Sequence, residues 1–322
     1  MRMAWPRMAP PGSAAVLALN PTLDVSYEVD HLIPGEKVAS TNTRLDPGGT
    51  GVNVGRALRL LKTPALTCLI VAGEIGTVLQ RLVSRELDAP HFVSIRGETR
   101  INCTLIDKDQ KVQYEIDGIG PSVSPSALEQ VISAFLGGCE GCLGVLTWSV
   151  GGGVPDTIYG NLVDRMRERA AEAVVDAKGP LLAHAIERRP FLIKPNRSEF
   201  ATLVGKPLPT LAKVALEARA VQSRGVRFVC VSLGEEGALL AGPDNTYYAA
   251  APPVVVRCTV GCGDAMVAGL TSAFARHVPP IEALRLGLAC GSATAEQPGT
   301  RLFDPADVER LIAQIEVREL DA

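Results

Sequence analysis

Aromatic residues are scarce in this sequence, in which phenylalanine, tryptophan and tyrosine make up 4% of 322 residues. So few rings argue against a platform for stacked nucleic-acid bases, and two tryptophans argue against an aromatic-lined polysaccharide cleft. An excess of positive charge is also missing, because 32 lysines and arginines face 35 aspartates and glutamates, for a net charge of −3. Binding to nucleic acid or to a membrane surface draws on a basic excess. We therefore expect neither partner, and we favour a soluble protein that acts on small molecules.

Long apolar runs and a signal segment are also absent. No stretch reaches the apolar length of a membrane span. The apolar run over 14–19 stops at Asn20-Pro21, which makes it too short for the core of a signal peptide. Residues 1–13 are predicted to form a loose N-terminal tail.

The eight cysteines lack the spacing of a metal site. Cys139 and Cys142 form a CxxC pair, but a second pair and a histidine at ligand spacing are missing, so neither zinc binding nor redox activity is favoured. Burial of the thiols as small hydrophobes is the better interpretation. Scattered thiols in a chain of this size fit a reducing compartment, and we expect a cytoplasmic location.

Several standard catalytic motifs are missing as well. The phosphate loop GxxxxGK[ST] fails because Gly205-Lys206 is followed by Pro207, and the Rossmann fingerprint fails because Val54 stands at its third glycine. Neither HExxH nor GxSxG occurs. Zinc-protease and α/β-hydrolase functions therefore lose their main support.

What the sequence does contain is an alternation of strand-like and helix-like segments. A continuous apolar run over 14–19 is typical of a strand buried on both faces, and 52–61 has helical spacing. After residue 120 the pattern predicts a helix over 125–136, a strand over 144–149, a helix over 158–173, strands over 173–176 and 191–194, a helix over 211–224, a strand over 228–233, a hairpin region over 238–256, and helices that begin near Gly263, Pro280 and Asp304. Repeated βα units predict a parallel sheet with right-handed crossovers.

Two early segments do not fit that parallel sheet. Residues 25–44 alternate around Pro34-Gly35 like a hairpin, and strands over 102–106 and 112–116 flank a turn at 107–110. A small accessory sheet with strands from about 25–45 and 101–116 is the natural place for them, and Lys37 would lie on one of its strands. We expect one domain over 14–322.

Two glycine clusters carry the chemistry. The segment 46–54 is a glycine-rich loop that leads into a helix, where free backbone N–H groups and close backbone approach suit a ligand. A plain helix-entry turn explains it equally well. The segment 259–264 combines a similar turn with Asp264. An aspartate at a helix start is more often a cap, but an anion cradle beside a potential base strengthens the functional interpretation.

These clusters resemble the two signatures of the PfkB (ribokinase-like) carbohydrate kinases. The first runs from Gly48-Gly49 to Asn53 and Ala57, and the second is Gly261-Cys262-Gly263-Asp264. Other segments resemble family motifs in the same order: Asn20-Pro-Thr-Leu-Asp24 for NPxxD, Thr99-Arg100-Ile-Asn102 for TRxN, Lys194-Pro-Asn196 with Glu199 for KPNxxE, Ser232-Leu-Gly234 with Gly237 for SLGxxG, and Gly291-Ser-Ala to Gly299-Thr300 for GSA…GT.

The resemblance implies an α/β, ribokinase-like fold: a mainly parallel sheet flanked by helices, with a small β-sheet lid. It points to the phosphohexose branch of the family and to ATP-dependent phosphorylation of fructose 6-phosphate or tagatose 6-phosphate to the 1,6-bisphosphate. The context of Lys37 and Asp46-Pro-Gly-Gly49 resembles 6-phosphofructokinases more than 1-phosphofructokinases. Phosphorylation of fructose 1-phosphate, a catalytically weak sugar-phosphate sensor and, less favoured, a nucleoside or vitamin kinase remain alternatives.

The resemblance also implies residue roles. Asp264 would be the base, and the backbone of Gly261, Cys262 and Gly263 would stabilise the transferred phosphoryl group. The sugar site would contain Asp24, Gly48, Gly49, Asn53, Asn102 and Ser149, with Lys37 and Arg100 on the sugar phosphate. The nucleotide site would contain Lys194, Asn196, Glu199, Ser232, Gly234 and Gly237. Glu199 would hold Mg²⁺ through water, and a monovalent cation such as K⁺ is a further expected cofactor.

Plainer explanations exist for some of these residues. Without the family, a solvated strand face is the favoured explanation for Lys37 and Arg100, and a strand-ending turn explains Lys194-Pro-Asn196 about equally well. The sequence also departs from the family at 148–153, where GSLPPG is usual, and at Cys262, where alanine is usual, and the segment 69–91 looks shortened.

Apolar side chains on the predicted lid exceed what one small sheet needs to cover its own domain. They include Tyr27, Val29, Ile101, Leu105 and Ile116. Because a few strands alone are only marginally stable, a second copy would cover the spare face. We expect a homodimer joined through the lid, with a monomer whose lid closes on its own site as the alternative.

Overall fold

The structure is a computed structural model that describes residues 10–320. Most of the predicted N-terminal tail, residues 1–9, lies outside the described residues, as do 321–322. The strands are β1 (Ala14–Ala18), β2 (Thr22–Val29), β3 (Asn42–Gly48), β4 (Ala65–Ala72), β5 (Ala89–Ile95), β6 (Arg100–Asp107), β7 (Val112–Ile116), β8 (Leu143–Thr147), β9 (Glu172–Asp176), β10 (Leu192–Ile193), β11 (Phe228–Ser232), β12 (Ala238–Ala241), β13 (Thr246–Ala249) and β14 (Val317–Leu320).

The helices alternate with these strands over most of the chain. They are α1 (Thr50–Leu60), α2 (Gly73–Glu86), α3 (Pro125–Gly137), α4 (Ile158–Arg167), α5 (Gly179–Glu187), α6 (Arg197–Val204), α7 (Leu211–Gln222), α8 (Cys262–Ala275), α9 (Pro280–Ala295) and α10 (Pro305–Ile312). Among the described residues, none of these helices is long and apolar enough to cross a membrane.

The main sheet has the order β14-β13-β12-β11-β10-β9-β8-β1-β4-β5 within the described part of the chain. Strands β11 to β5 in this order are parallel, and β12, β13 and β14 add antiparallel neighbours at one edge. Central strand β1 is buried at every position, because helices cover both faces of a sheet built from βα units. The predicted α/β fold with a mainly parallel sheet is therefore confirmed.

Two apolar layers lie on opposite faces of this sheet. One contains side chains from α3, α4, α5 and α7, among them Val131, Leu162 and Leu182. The other contains side chains from α1, α8, α9 and α10, among them Leu58, Leu270 and Leu284. Alternate residues of β1 point into the two layers, Leu17 into the first and Val16 into the second.

The second sheet has the order β3-β2-β6-β7 and holds the two early segments that do not fit the main sheet. Strand β2 pairs antiparallel with β3 and parallel with β6, and Asp24 lies opposite both Asp46 and Asn102. We call these four strands the small sheet. Its existence and its strands agree with the expectation from sequence, although β2 begins three residues earlier than the predicted 25.

Lys37 does not lie on a strand of the small sheet, so that prediction is wrong. The segment 30–41 between β2 and β3 is a loop, and the Lys37 side chain is exposed. Pro34 cannot donate a backbone hydrogen bond and Gly35 adopts a φ of 81°, so the chain turns there, with Glu36 N–H donating to the Ile33 carbonyl at 3.2 Å.

Other boundaries differ from the sequence pattern for local reasons. Helix α4 ends at Arg167 rather than 173, because the chain reverses at Ala170, whose φ is 52°. The hairpin predicted to reach 256 ends at Ala249, since Pro252-Pro253 cannot extend a strand ladder. The structure also adds elements for which the pattern gives no expectation, namely β4, α2, β5, α5, α6 and β14.

Candidate active site

The predicted site residues gather at the carboxyl edge of the main sheet. Parallel strands end at the same edge, and open α/β sheets bind ligands there. The chain leaves this edge at Pro21 after β1, at Ser149 after β8, at Asp176 on β9, at Lys194 after β10 and at Ser232 on β11. Helices α1 and α8 begin close to one another, since a side chain of one bonds a side chain of the other.

Asp264 lies in the first turn of α8 but does not cap the helix. The N-cap is Gly261, in the left-handed conformation with a φ of 79°, and no side chain bonds the free N–H groups of this helix start. Asp264 Oδ2 instead accepts a hydrogen bond from Asn53 Nδ2 at 2.9 Å. The explanation of Asp264 as a helix cap is therefore wrong. The Cys262 N–H donates to the Thr259 carbonyl at 3.3 Å, and the N–H groups of Gly261 and Gly263 stay available to an anion.

The pKa of Asp264 is raised to about 7, chiefly by burial and next by the nearby Asp176 carboxylate, while the Asn53 hydrogen bond and the Lys194 charge act in the opposite direction. A carboxylate whose pKa lies near neutrality is well suited to take a proton from a hydroxyl group.

A buried ion pair supplies positive charge beside the same turn. Lys194 is 4% exposed, and its Nζ lies 3.2 Å from Asp176 Oδ1. Burial disfavours the charge on Lys194, but the neighbouring acidic groups, Asp176 foremost, together outweigh it and hold the Lys194 pKa above its ordinary value. A Cβ on Gly263 would lie 3.5 Å from Lys194 Nζ, so this ammonium group faces the turn. Together they place positive charge beside backbone donors, an arrangement that suits an anion.

Asp176 is a site residue that the sequence analysis did not identify. Burial raises its pKa and the charge of Lys194 lowers it. The available signal was a carboxylate at the end of a buried strand, in the run Ala173-Val-Val-Asp176. Its partner Lys194 is named by the sequence, but only the sheet order shows that β9 and β10 are neighbours.

Glycines 48 and 49 make room for the second buried carboxylate and for the start of α1. A Cβ on Gly48 would lie 1.9 Å from Asp24 Oδ2. Gly49 adopts a φ of 93°, and a Cβ there would lie 3.0 Å from the Pro21 Cα. Burial raises the pKa of Asp24 to about 7. Asp24 Oδ1 is buried without a hydrogen-bond partner, which is an incomplete arrangement that a ligand hydroxyl would complete.

Arg100 lies at the start of β6 and is partly buried rather than on a solvated strand face. Its Nη2 donates to Ser149 Oγ at 2.9 Å and its Nε to the Asn20 carbonyl at 3.1 Å. Burial lowers its pKa from the ordinary value, and the Asp117 and Asp24 charges act against that change. Asn102 lies two residues further along, and its Oδ1 accepts a hydrogen bond from the Gly118 N–H at 3.0 Å. The Asn102 side-chain oxygen therefore already holds the chain at Gly118.

A cleft of about 700 Å³ opens on the other side of the α8 turn. It is mostly apolar, and the segment 251–254 and Met266 form part of its wall. Of the predicted nucleotide residues, four line this cleft and two, Lys194 and Glu199, do not; those that do are Asn196, Ser232, Gly234 and Gly237. Its size and lining suit a nucleoside.

Asn196 and Glu199 form a capping box at the start of α6 rather than a simple strand-ending turn. Asn196 Oδ1 accepts from Glu199 N–H and Glu199 Oε2 accepts from Asn196 N–H, both at 2.9 Å. No group of three or more metal-ligating side chains occurs among the described residues. A cation held by Glu199 would therefore take most of its ligands from water and phosphate, which is how Mg²⁺ commonly binds.

The remaining predicted residues differ in whether they lie at the site. Cys262 lines the cleft and is partly buried, with Sγ 3.8 Å from the Cys258 carbonyl. At the departure from GSLPPG, Trp148 carries Lys178 Nζ 3.5 Å above its ring. Lys37 is exposed on the 30–41 loop without a partner among the described residues, so within one chain the structure lends no support to its predicted phosphate contact.

Comparison with known proteins places this geometry in a family. The model of the pfkB family of carbohydrate kinases matches residues 17–307. A 1-phosphofructokinase of Bacillus subtilis is 30% identical over 306 residues, which cover 94% of this chain and 99% of that protein. An ATP-dependent 6-phosphofructokinase isozyme 2 of Mycobacterium tuberculosis (H37Rv) is 32% identical over 296 residues, 91% of this chain and 87% of that protein.

A solved structure agrees with both relatives. Phosphofructokinase-2 from Escherichia coli, in complex with potassium, superposes with a TM-score of 0.89 at 29% identity and covers 94% of this chain and 98% of that chain. The chain therefore belongs to the pfkB family of carbohydrate kinases, in its phosphohexose branch, and is an ATP-dependent sugar kinase.

Proposed function

We propose that this chain transfers the γ-phosphoryl group of ATP to the free primary hydroxyl of fructose 6-phosphate or tagatose 6-phosphate, giving the 1,6-bisphosphate. The observation that carries the proposal is Asp264, a partly buried carboxylate with a pKa of about 7 at a glycine turn whose Gly261 and Gly263 N–H groups have no side-chain cap. Asp264 takes the proton of the attacking hydroxyl, and the N–H groups of Gly261 and Gly263 together with Lys194 stabilise the negative charge of the transferred group.

The cofactors follow from the same roles. Mg²⁺ supplies neutralisation of the nucleotide phosphates when bound, and Glu199 holds it through water. The Escherichia coli neighbour was solved in complex with potassium, which supports a monovalent cation as a second cofactor of this chain. Asn196, Ser232, Gly234 and Gly237 take the nucleoside side of ATP, because they line the apolar cleft beside the turn.

On the sugar side, Arg100 with Ser149 takes the existing phosphate, and Asp24, Asn53 and the Gly48-Gly49 backbone take ring hydroxyls. Asp24 with its unpartnered Oδ1 supports this assignment, and buried polar groups discriminate strongly between hydroxyl positions. All these residues lie within the single domain that we propose over 14–322.

Fructose 1-phosphate is the second candidate substrate. The Bacillus subtilis relative named 1-phosphofructokinase aligns over 99% of its own length, whereas the relative named 6-phosphofructokinase aligns over 87%. The two substrates carry the phosphate at opposite ends of the same sugar. A site with one group for the phosphate, Arg100, and one base, Asp264, therefore suits either substrate.

A substrate panel tests the proposal. We expect ADP release with ATP and fructose 6-phosphate or tagatose 6-phosphate to exceed that with fructose 1-phosphate by at least about tenfold in kcat/KM, which corresponds to about 1.4 kcal/mol in transition-state binding. Ribose and adenosine serve as controls that lack the phosphate. Faster turnover of fructose 1-phosphate assigns the second candidate, and turnover of ribose or adenosine alone rejects both.

Asp264→Asn tests the base. We expect kcat to fall by roughly 10²–10⁴-fold with nucleotide affinity unchanged, because a positioned base contributes about that much. In the unchanged enzyme, kcat should rise with pH through about 7 as Asp264 loses its proton, and this limb should vanish in the variant. A decrease in kcat of less than about tenfold, in a folded variant, means that Asp264 is not the base.

Arg100→Ala tests the sugar-phosphate contact. We expect KM for the phosphohexose to rise by roughly ten- to 150-fold, because a hydrogen bond to a charged group contributes about 1.5–3 kcal/mol. The KM for ATP should stay within about twofold. Arg96→Ala is the matched control, because Arg96 is exposed four residues earlier. If Arg100→Ala weakens ATP alone, the guanidinium belongs to the nucleotide side.

We also propose that two copies join through the small sheet. Its outer positions are unusually apolar and exposed: Leu45 is 52% and Ile116 63% exposed, and Ile101 and Tyr114 are exposed beside them. Contiguous apolar patches of this kind mark interaction sites, and a two-fold pairing would cover this one.

Sedimentation equilibrium checks the dimer. We expect a species of twice the 34.0 kDa chain mass at micromolar concentration, and dissociation to the monomer in Ile116→Glu, because a charge would then be buried unpaired. Leu216→Glu, at a side chain that is 67% exposed on α7, is the control and should leave the dimer intact. A single species of monomer mass in the unchanged protein, with and without substrate, rejects the lid dimer.

A further inference from the structure

The Asn53 side chain has two ends of opposite character, and only one of them can bond a carboxylate usefully. Asn53 Nδ2 donates to Asp264 Oδ2 at 2.9 Å, and Asn53 Oδ1 accepts from Arg56 Nη1 at 3.3 Å. An arginine side chain can only donate. A reversed amide would therefore set two donors against each other at Arg56 and two acceptors against each other at Asp264.

Arg56 is itself held from two other elements. Its Nε donates to Glu86 Oε2 at 2.6 Å, at the end of α2, and its Nη1 donates to the Pro47 carbonyl at 3.2 Å, in β3. The Arg56 side chain is 11% exposed while Glu86 reaches solvent. Fixed in this way, the guanidinium presents a constant donor to Asn53, since the pair with Glu86 is a charge-assisted hydrogen bond.

We propose that Arg56, anchored by Glu86, is a positioning residue that acts on Asp264 through the orientation of the Asn53 amide. This inference rests on the proposed role of Asp264 as the base. Arg56 does not itself contact Asp264, and the proposal assigns it no contact with substrate. Its effect is to keep an N–H donor, rather than a carbonyl oxygen, facing the carboxylate.

The charges around Asp264 show why one hydrogen bond matters there. The titratable groups that face it are Asp176 on β9, Asp24 on β2, Lys194 after β10 and the Cys262 thiol on its own helix. Both aspartates raise the pKa of Asp264, and only Lys194 and the Asn53 amide lower it. Loss of the amide donor would leave Lys194 as the side chain among these that favours the ionised base.

The test is the pH profile of Arg56→Met, which removes the guanidinium but keeps an unbranched apolar stem. The acidic limb of kcat should move to higher pH by about one pH unit, because a hydrogen bond to a charged group is worth about tenfold or more in the ionisation constant. Near pH 7 kcat should fall by about fivefold, and at high pH it should recover to the unchanged plateau. A lost plateau with an unmoved limb indicates a structural role only and overturns the proposal.

Matched variants complete the design, all assayed with ATP and fructose 6-phosphate, or with fructose 1-phosphate if that is turned over faster. Arg59→Met is the control, because Arg59 lies one turn later on α1 and pairs with Asp88 at 3.3 Å. The acidic limb of kcat should stay in place in this variant. Arg56→Lys keeps a donor, so its acidic limb should lie close to that of the unchanged enzyme. In an Asn53→Ala background, Arg56→Met should move the limb no further, whereas an additive shift contradicts action through Asn53.

Two further results keep the outcomes distinct. If Arg56→Met fails to fold, Glu86→Ala decides instead, because it removes the acceptor that anchors the guanidinium without removing the guanidinium itself. It should move the limb upward by a smaller amount, and an unmoved limb overturns the proposal. Asp264→Asn in the same assay separates failure of the base assignment from failure of the positioning role of Arg56. Full activity in that variant rejects the base itself, while an inactive Asp264→Asn with an unmoved Arg56→Met limb rejects only the positioning role.

Discussion

The hydrogen bond between Asn53 and Asp264 joins the first turns of α1 and α8, which lie 211 positions apart in the chain. Both helices begin at glycines with positive φ, Gly49 and Gly261, and both open at the carboxyl edge of the sheet. Because the donor comes from one helix and the acceptor from the other, the packing of α1 on α8 sets the geometry of the proposed base. The apolar layer that contains Val54, Leu58, Val267 and Leu270 is therefore part of the site's support.

A second link ties the small sheet to the same edge. Asp46 on β3 bonds Arg44 at 2.8 Å and Thr300 at 2.9 Å, and Arg44 also donates to the Pro298 carbonyl. The loop 296–300 follows α9, whose Leu288 and Ser292 line the nucleotide cleft. Asp46 lies opposite Asp24 in the strand register. These hydrogen bonds connect β3, on the proposed sugar side, with the loop that follows α9, on the proposed nucleotide side. They help to explain why residues so far apart in sequence form one site.

Much of this site could be predicted from the sequence because its groups sit in local motifs. A glycine turn before a helical pattern gives the start of α8 and Asp264, and glycines before Asn53 do the same for α1. Asp176 and its pairing with Lys194 could not be predicted, since a strand-ending carboxylate gains meaning only when the strand order is known. The capping box at Asn196 and Glu199 was a readable signal for α6. Lys37 was misplaced because the alternating pattern after the expected turn at Pro34-Gly35 predicts a strand there, whereas β3 begins only at Asn42.

The choice between the two phosphohexoses comes down to what lies beside the reacting hydroxyl. In furanose fructose 6-phosphate the reacting O1 is bonded to C1, and the adjacent carbon, C2, carries the anomeric hydroxyl. In fructose 1-phosphate the reacting O6 is bonded to C6, and the adjacent carbon, C5, carries a hydrogen in place of that hydroxyl. Asp24 acts on the charge of Asp264 and keeps Oδ1 unpartnered. With a pKa of about 7 it can accept or donate a hydrogen bond. If Asp24 binds the sugar as proposed, a hydroxyl beside the reacting group would satisfy that oxygen and a hydrogen would leave it unsatisfied, at a cost of about 1–3 kcal/mol. This difference supports the proposed preference for the 6-phosphate.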